Sequence, residues 1–333
     1  MDENQSLLWL NLCTDITAPA RRALLRSQGS ARAARAFLVA RGHQGPPYDM
    51  MQRALNSQWM TPGHADYPVA LLELGDPPDV LYYRGDPKGW AQVKTSLTIV
   101  GTRSPSPEGR QLAGRFSHCL SEAGISIVSG FARGIDSAAH RASLGNPHAP
   151  PLAVLACGLD HLYPAEHREL FNRIEAEGLL LSEYPPDYPA LPHHFQERNR
   201  LLAALGSGLL VIEAPARSGA LITARHAGEL HRHIFVVPGP VDHRNYQGSL
   251  RLLQEHGLLV TTPRDVLEQL PGRYLSGADC GQGLAPPQLW AERWGMTLQE
   301  TLILLSSRER AGQMYRDRHG YFGWVLSTKS SGL

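Results

Sequence analysis

From Ser96 to about Leu270 the chain alternates short apolar runs with longer segments of helical period. The runs are SLTIVG, ISIVSG, LAVLAC, LLLSEY, LLVIEA, HIFVVPG and LLVTT, each of strand length and apolar at nearly every position. Strands apolar on both faces, separated by roughly 10 to 20 residues of helix-like pattern, predict a mostly parallel sheet covered on both sides. The fold class is therefore α/β, a doubly wound domain with a mostly parallel sheet. In such sheets a ligand sits beyond the carboxyl ends of the strands. Here those ends carry small or polar residues: Gly101-Thr102-Arg103, Ser129-Gly130, Cys157-Gly158, Ser182-Glu183 and Glu213-Ala214. Several loops converge on one crevice.

The flanks read differently. The stretch APARRALLRSQGSARAARAFLVARG is rich in Ala, Leu and Arg at helical spacing, with Ser30 placed to cap a helix after Gly29. Residues 1–65 are thus a small helical domain, and a turn-rich connector with a short strand in VLYYRG opens the central domain, 66–270. PGRYLSGADCGQGLAPP is a Gly/Pro/Ser-rich linker, 271–285. Beyond it, 286–333 shows two helices, a stop at Gly312 and a strand pair turning near His319-Gly320, the outline of a winged-helix-like module.

Composition narrows the class without naming it. The 333 residues are 42% apolar and 19% charged, ordinary for a globular chain, and no run reaches the 18 or so apolar residues of a membrane span. The start, MDENQSLLWLNLC, is acidic and lacks a basic signal-peptide region, and Cys13, Cys119, Cys157 and Cys280 form no C-x-x-C pair. A reduced, cytoplasmic setting is expected, with no membrane partner. Net charge is only +1, yet residues 193 to 251 hold seven Arg and six His against four acidic residues. A basic face is expected there.

Three constellations carry candidate chemistry. In IVGTRSPSPEGR, Gly101 stands alone where a dinucleotide loop needs three glycines, and Arg103 and Pro105 fill the space of a pyrophosphate. The following helix offers an anion its free N–H groups, and Arg103 adds a fork of donors; the competing reading pairs Arg103 with Glu108. In VSGFARGIDSAAHRASL, Asp136 and His140 lie four apart on one helical face, read as a buried structural pair in preference to a general acid and base. In HHFQERNRLLAAL, Phe195 precedes a helix beginning near Leu201 and stands beside Arg198, Asn199 and Arg200, the composition of a base-stacking platform with phosphate clamps; the competing reading, of equal weight, has Phe195 plug the core and Arg198 form a salt bridge. Ser218 and Gly219 open a further helix. No nucleophile elbow, Walker loop or standard metal-ligand spacing is present, so neither a cofactor nor a metal is expected.

These pieces, taken in order, resemble the DNA-processing protein A (DprA, also called Smf) family. The matching stretches run from Tyr67 to about Val260: IVGTRSPSPEG, VSGFARGIDSAAHRASL, AVLACGLDHLYPAEHREL, LLSEYPP, FQERNRLLAALGSGLLVIEA, SGALITARHAGEL and IFVVPGPV. The resemblance implies a non-enzymatic, cofactor-free binder of single-stranded DNA that protects incoming strands in natural transformation and helps load the RecA recombinase. It also implies an extended Rossmann-like central domain, a homodimer through that Rossmann domain, an N-terminal SAM-like or helix-hairpin-helix unit and a C-terminal winged-helix-like one. By motif match the DNA-binding residues are Gly101, Thr102, Arg103, Ser129, Gly130, Arg133, Phe195, Arg198, Asn199, Arg200, Ser218 and Gly219. The chain departs from the family's pattern at Glu108 (commonly Tyr), Gln196 (Pro), Ala220 (Ser) and Ser249 (Asn). The alternative is an enzyme acting on nucleoside phosphates, similar in sheet layout to phosphoribohydrolases, with Glu229 as the acid its loop would need.

Overall fold

In the computed structural model the described residues are 1–93, 95–270, 287–288, 297–310, 314–316 and 322–324. Four short helices lead: α1 (Glu3–Leu12), α2 (Ala18–Gln28), α3 (Ala31–Ala40) and α4 (Tyr48–Asn56). Ser30 caps α3 as its position predicts, its hydroxyl accepting from Ala33 N. Leu8, Leu12 and Ala54 of this group pack with Val80 and Tyr82 at one side of the sheet, and the Tyr82 hydroxyl meets Asn11 Oδ1 at 3.1 Å. The helical unit is therefore seated on the central domain by apolar contact. Helices α1 and α4 flank the stretch read as helical from its sequence: Met50, Met51, Ala54 and Leu55 give α4 a clear apolar face, whereas Leu8, Trp9, Leu10 and Leu12, buried on several sides, blur the period of α1.

The strands are β1 (Trp59–Met60), β2 (Leu81–Gly85), β3 (Ser96–Val100), β4 (Ser126–Ser129), β5 (Leu152–Val154), β6 (Leu179–Ser182), β7 (Gly208–Val211), β8 (His233–Val236) and β9 (Leu258–Leu259). They form one sheet in the order β1-β2-β6-β5-β4-β3-β7-β8-β9. From β6 to β9 across the sheet all neighbours are parallel, while β2 runs antiparallel to both β6 and β1. The intervening helices are α5 (Pro87–Ala91), α6 (Pro107–Glu122), α7 (Ile135–Ser143), α8 (Arg168–Glu177), α9 (Pro192–Leu205), α10 (Gly219–Glu229), α11 (Gln247–Glu255) and α12 (Pro263–Leu267). The mostly parallel α/β class expected from the apolar runs is what folds.

The central strand explains both layers. Leu97 and Ile99 join Phe116 and Leu120 of α6 and Ala139 of α7 in one core, whereas Val100 joins the α9 and α10 side chains on the other face. Each buried Leu, Ile, Val or Phe side chain here contributes roughly 1.5–3 kcal/mol. Two polar residues in this buried strand have a specific use. The Ser96 and Thr98 hydroxyls donate to the carbonyls of Leu205 and Leu202, both at 2.6 Å, and so satisfy the carboxyl end of α9. Strand order reverses between β3 and β7, so the switch point lies where their carboxyl ends adjoin.

At the carboxyl-terminal end of the chain, α13 (Leu298–Arg310) precedes an antiparallel pair, β10 (Met314–Arg316) and β11 (Phe322–Trp324). The linker expected at 271–285, with Cys280, lies outside the described residues. No helix among the described residues is long and apolar enough to cross a membrane.

Candidate nucleic-acid interface

The turn after β3 is built by close packing. A Cβ on Gly101 would lie 2.5 Å from Ile135 Cγ1 and 3.0 Å from the Glu213 carbonyl. Gly134, at φ +81°, would drive a Cβ to 2.4 Å from the Thr102 carbonyl, which instead accepts from Ile135 N. The turns after β3, β4 and β7 thus interlock, and glycine is required for that contact rather than for a pyrophosphate.

The anion position at the start of α6 is already filled. Glu213, fully buried at the end of β7, turns its carboxylate onto that helix N-terminus. It accepts from Ser106 N at 3.0 and 3.2 Å, from Ser106 Oγ at 3.1 Å and from Asn245 Nδ2 at 2.7 Å. A negative group there complements the helix dipole. At this turn Ser106 N is therefore engaged by the chain's own acid, and Gly109 N by the Ser106 hydroxyl at 2.9 Å, where an external phosphate was expected. Sequence reasoning treated Glu213 only as a polar strand end.

Arg103 is pushed outward. It is exposed and makes no ion pair among the described residues, so it does not pair with Glu108. Its guanidinium lies 4.3 Å from the centroid of the Phe195 ring. Phe195 sits in the first turn of α9, which starts at Pro192 and not near Leu201. The earlier start follows from proline at a first helical position; its buried face is built from His194, Arg198, Leu201, Leu202 and Leu205, with polar members that hide the period.

That face corrects the expected roles of two arginines. Arg198 is 3% exposed, and its Nη1 donates to the carbonyls of Gly130 (2.6 Å) and Val154, bracing α9 against the ends of β4 and β5. A Cβ on Gly130 would stand 2.6 Å from that guanidinium. Arg200 is neutralised by Glu183 and Asp76. Both guanidiniums are thus held by partners within the fold. Asn199 is buried and donates to the Gly219 carbonyl at 3.2 Å, tying α9 to α10, while Ser218 caps α10 by accepting from Ala220 N. Ser129 donates to the Ile99 carbonyl at 2.7 Å, and Thr102 N donates to the Glu213 carbonyl at 2.7 Å. Asp136 and His140 do not bond to each other. Asp136 accepts from Ala132 N at 3.3 Å, and burial lifts its carboxyl to about 6 against the pull of Arg198. His140 is fully buried beside Phe131, and burial pushes it down to about 3.

One ring was missed. Tyr163, in the loop after β5, meets Phe195 edge-on with centroids 5.7 Å apart, and the Arg133 guanidinium lies 5.9 Å from the tyrosine centroid. Arg103, Phe195, Tyr163 and Arg133 thus form a continuous cation–ring–ring–cation line across three loops and α9. An aromatic beyond a strand's carboxyl end, in GLDHLYPAEH, was the available signal.

Other clusters do not assemble comparable chemistry. Cys13, Asp15 and His43 gather, as do His193, His194 and Glu197. Yet His43 Nδ1 accepts from Gly45 N and His194 Nδ1 from Leu191 N, which leaves the proton on each Nε2, and Glu197 accepts from the Tyr184 hydroxyl. Burial also pushes the Cys13 thiol up to about 12. Neither set offers three free donors. A cleft of about 410 Å³ beside α4 and β2 is lined by charges that pair internally, Arg84 with Asp160 and Glu175, and Arg53 with Asp49 and Asp187.

Comparison with known proteins adds relatives. The family model described as DNA recombination-mediator protein A matches residues 58–271. Protein Smf of Synechocystis sp. is 41% identical over 217 residues, 65% of this chain and 54% of that protein, so the match spans about half the relative's length. DNA processing protein A from Streptococcus pneumoniae superposes with a TM-score of 0.72 at 31% identity, over 81% of this chain and 99% of that one. A structure of DNA processing protein A from Helicobacter pylori, reported for its single-stranded DNA binding mode, matches with a TM-score of 0.58 at 30% identity, over 64% of this chain and 95% of that one.

Proposed function

The chain belongs to the DNA recombination-mediator protein A family, and from that premise we propose that it holds single-stranded DNA along the line from Arg103 to Arg133, as a mediator in natural transformation. On this reading it protects an incoming strand and passes it to RecA, acts as a homodimer through the Rossmann domain, and binds rather than catalyses. The observation that carries it is the stacking of Arg103 on Phe195 beside Tyr163. Half-buried rings interleaved with cations suit a flexible strand, whose bases stack on the open ring edges and whose phosphates pair, without reading sequence. Gly101, Thr102, Ser129 and Gly130 shape the turns; Arg198, Asn199 and Arg200 position α9; Ser218 and Gly219 offer a further contact. The four leading helices fit a SAM-like unit, 1–65. A helix followed by an antiparallel pair fits a winged-helix-like unit in 286–333, joined by the 271–285 linker.

The reading as a nucleoside-phosphate enzyme finds less support. The helix N-terminus such a phosphate would use is occupied by Glu213, and Glu229 lies at the far end of α10, paired with Arg225 and His226.

The deciding experiment is fluorescence anisotropy of labelled oligo-dT titrated with the full chain at several salt concentrations, with duplex DNA, ATP and NAD as competitors. Salt-sensitive binding that the competitors barely displace is expected. Absence of binding at low salt, or displacement by the nucleotides, would refute the reading.

A further inference from the structure

The line of rings and cations is not uniform along its length. At one end Arg103 stacks on Phe195 and makes no ion pair among the described residues; at the other Arg133 is held by Glu166, Nε donating to Oε1 and Nη2 to Oε2 at 3.1 Å. The two side chains are about half exposed, 53% and 51%. They come from different loops, Arg133 from the turn after β4 and Glu166 from the short helical turn Ala165–His167 after β5. A solvated pair of this kind contributes little to stability. Its geometry is that of the forked grip an arginine makes on a phosphate, so the carboxylate occupies the same donors a strand would need. Arg133 also lies against the Tyr163 ring, so whatever stacks on that ring brings its phosphate to this pair.

Building on the single-strand reading above, we propose that Tyr163 is a second base-stacking position and that Glu166 is a latch competing with the strand's phosphate for Arg133. The platform then has a strong end at Arg103 and Phe195 and a weak end at Tyr163 and Arg133. A strand is anchored at the first and exchanged at the second, which suits a protein that must surrender what it holds. The latch acts through Arg133 alone, and this separates it from a general effect of surface charge.

The test compares the wild-type full chain with Glu166→Gln, Arg133→Ala, the double variant, Tyr163→Ala and Phe195→Ala, by anisotropy of labelled oligo-dT between 50 and 200 mM salt. Glu166→Gln is expected to tighten binding about fivefold at 0.1 M salt and to steepen the salt slope by about 0.7, one further phosphate contact. In the Arg133→Ala background the same substitution is expected to do nothing. Tyr163→Ala is expected to weaken binding at least about fivefold, the low end for a stacked base. An unchanged Glu166→Gln, or equal tightening with and without Arg133, overturns the latch. An unchanged Tyr163→Ala overturns the second stacking position. If Phe195→Ala weakens binding while these are neutral, the single-strand reading stands and this inference alone fails; if the wild type binds no oligo-dT, both fall.

Discussion

Gly109→Ala is a substitution whose sign distinguishes the packing around Glu213 from ordinary helix energetics. Gly109 is in the first turn of α6, where alanine would ordinarily add about 1 kcal/mol of stability. Here the new Cβ would lie 1.8 Å from Glu213 Oε2 and 2.9 Å from its Cδ. Restoring van der Waals contact moves the carboxylate back by about 1.5 Å, which opens its bonds to Ser106 N and Ser106 Oγ beyond hydrogen-bonding range. Charge-assisted bonds of this kind are worth about 1.5–3 kcal/mol each. Ser106 is half-buried and regains some water, so after the helix gain the net loss is about 2–4 kcal/mol. For a domain near 200 residues that lowers Tm by about 4–12 °C. Thermal melting by circular dichroism measures it. In a Glu213→Ala background the clash is gone, and Gly109→Ala is expected to raise Tm slightly. A rise in the wild-type background, or an equal fall in both, refutes the argument.

Other expectations follow from the same geometry. Arg103→Ala should lower the oligo-dT salt slope by about 0.7, one phosphate contact on a single strand, while Phe195→Ala should cost roughly 1–3 kcal/mol of binding; unchanged affinity in both removes them from the interface. Arg198→Lys has a shorter stem and ends short of the point where Nη1 meets the Gly130 and Val154 carbonyls, so it should lower Tm while leaving the salt slope at the wild-type value; a reduced slope would mean direct contact. His140, buried and held near 3, contributes stability present above its unfolded value of about 6.5 and lost as pH falls. Urea titrations at pH 7 and pH 5 should therefore show a loss about 2 kcal/mol smaller in His140→Leu than in the wild type, and equal losses would contradict the buried neutral ring.

The seven apolar runs all became strands because a sheet buried on two faces leaves no polar alternation to confuse. Ser30 was legible for the same local reason: a cap acts within three residues. What escaped depends on distance along the chain. Glu213 meets Ser106 across 107 positions, and only the adjacency of β3 and β7 gives its carboxylate a destination. Arg103 and Arg198 are chemically identical, yet one faces water and one braces carbonyls. Telling them apart requires knowing that α9 begins at Pro192, which places Arg198 on the face of His194, Leu201 and Leu202. Tyr163 has no legible role within its own motif, since its neighbour Phe195 lies on another element.

Glu213 also has a consequence for the company the protein keeps. A sheet of this topology presents a ready seat for small phosphorylated metabolites, which are abundant wherever nucleic acid is handled. A carboxylate covalently part of the chain does not dissociate, so the seat is never vacant to them. On the single-strand reading proposed above, the protein is thereby insulated from the small phosphates around it: its occupancy would track polymer supplied to Phe195 and Tyr163, not the level of monomers.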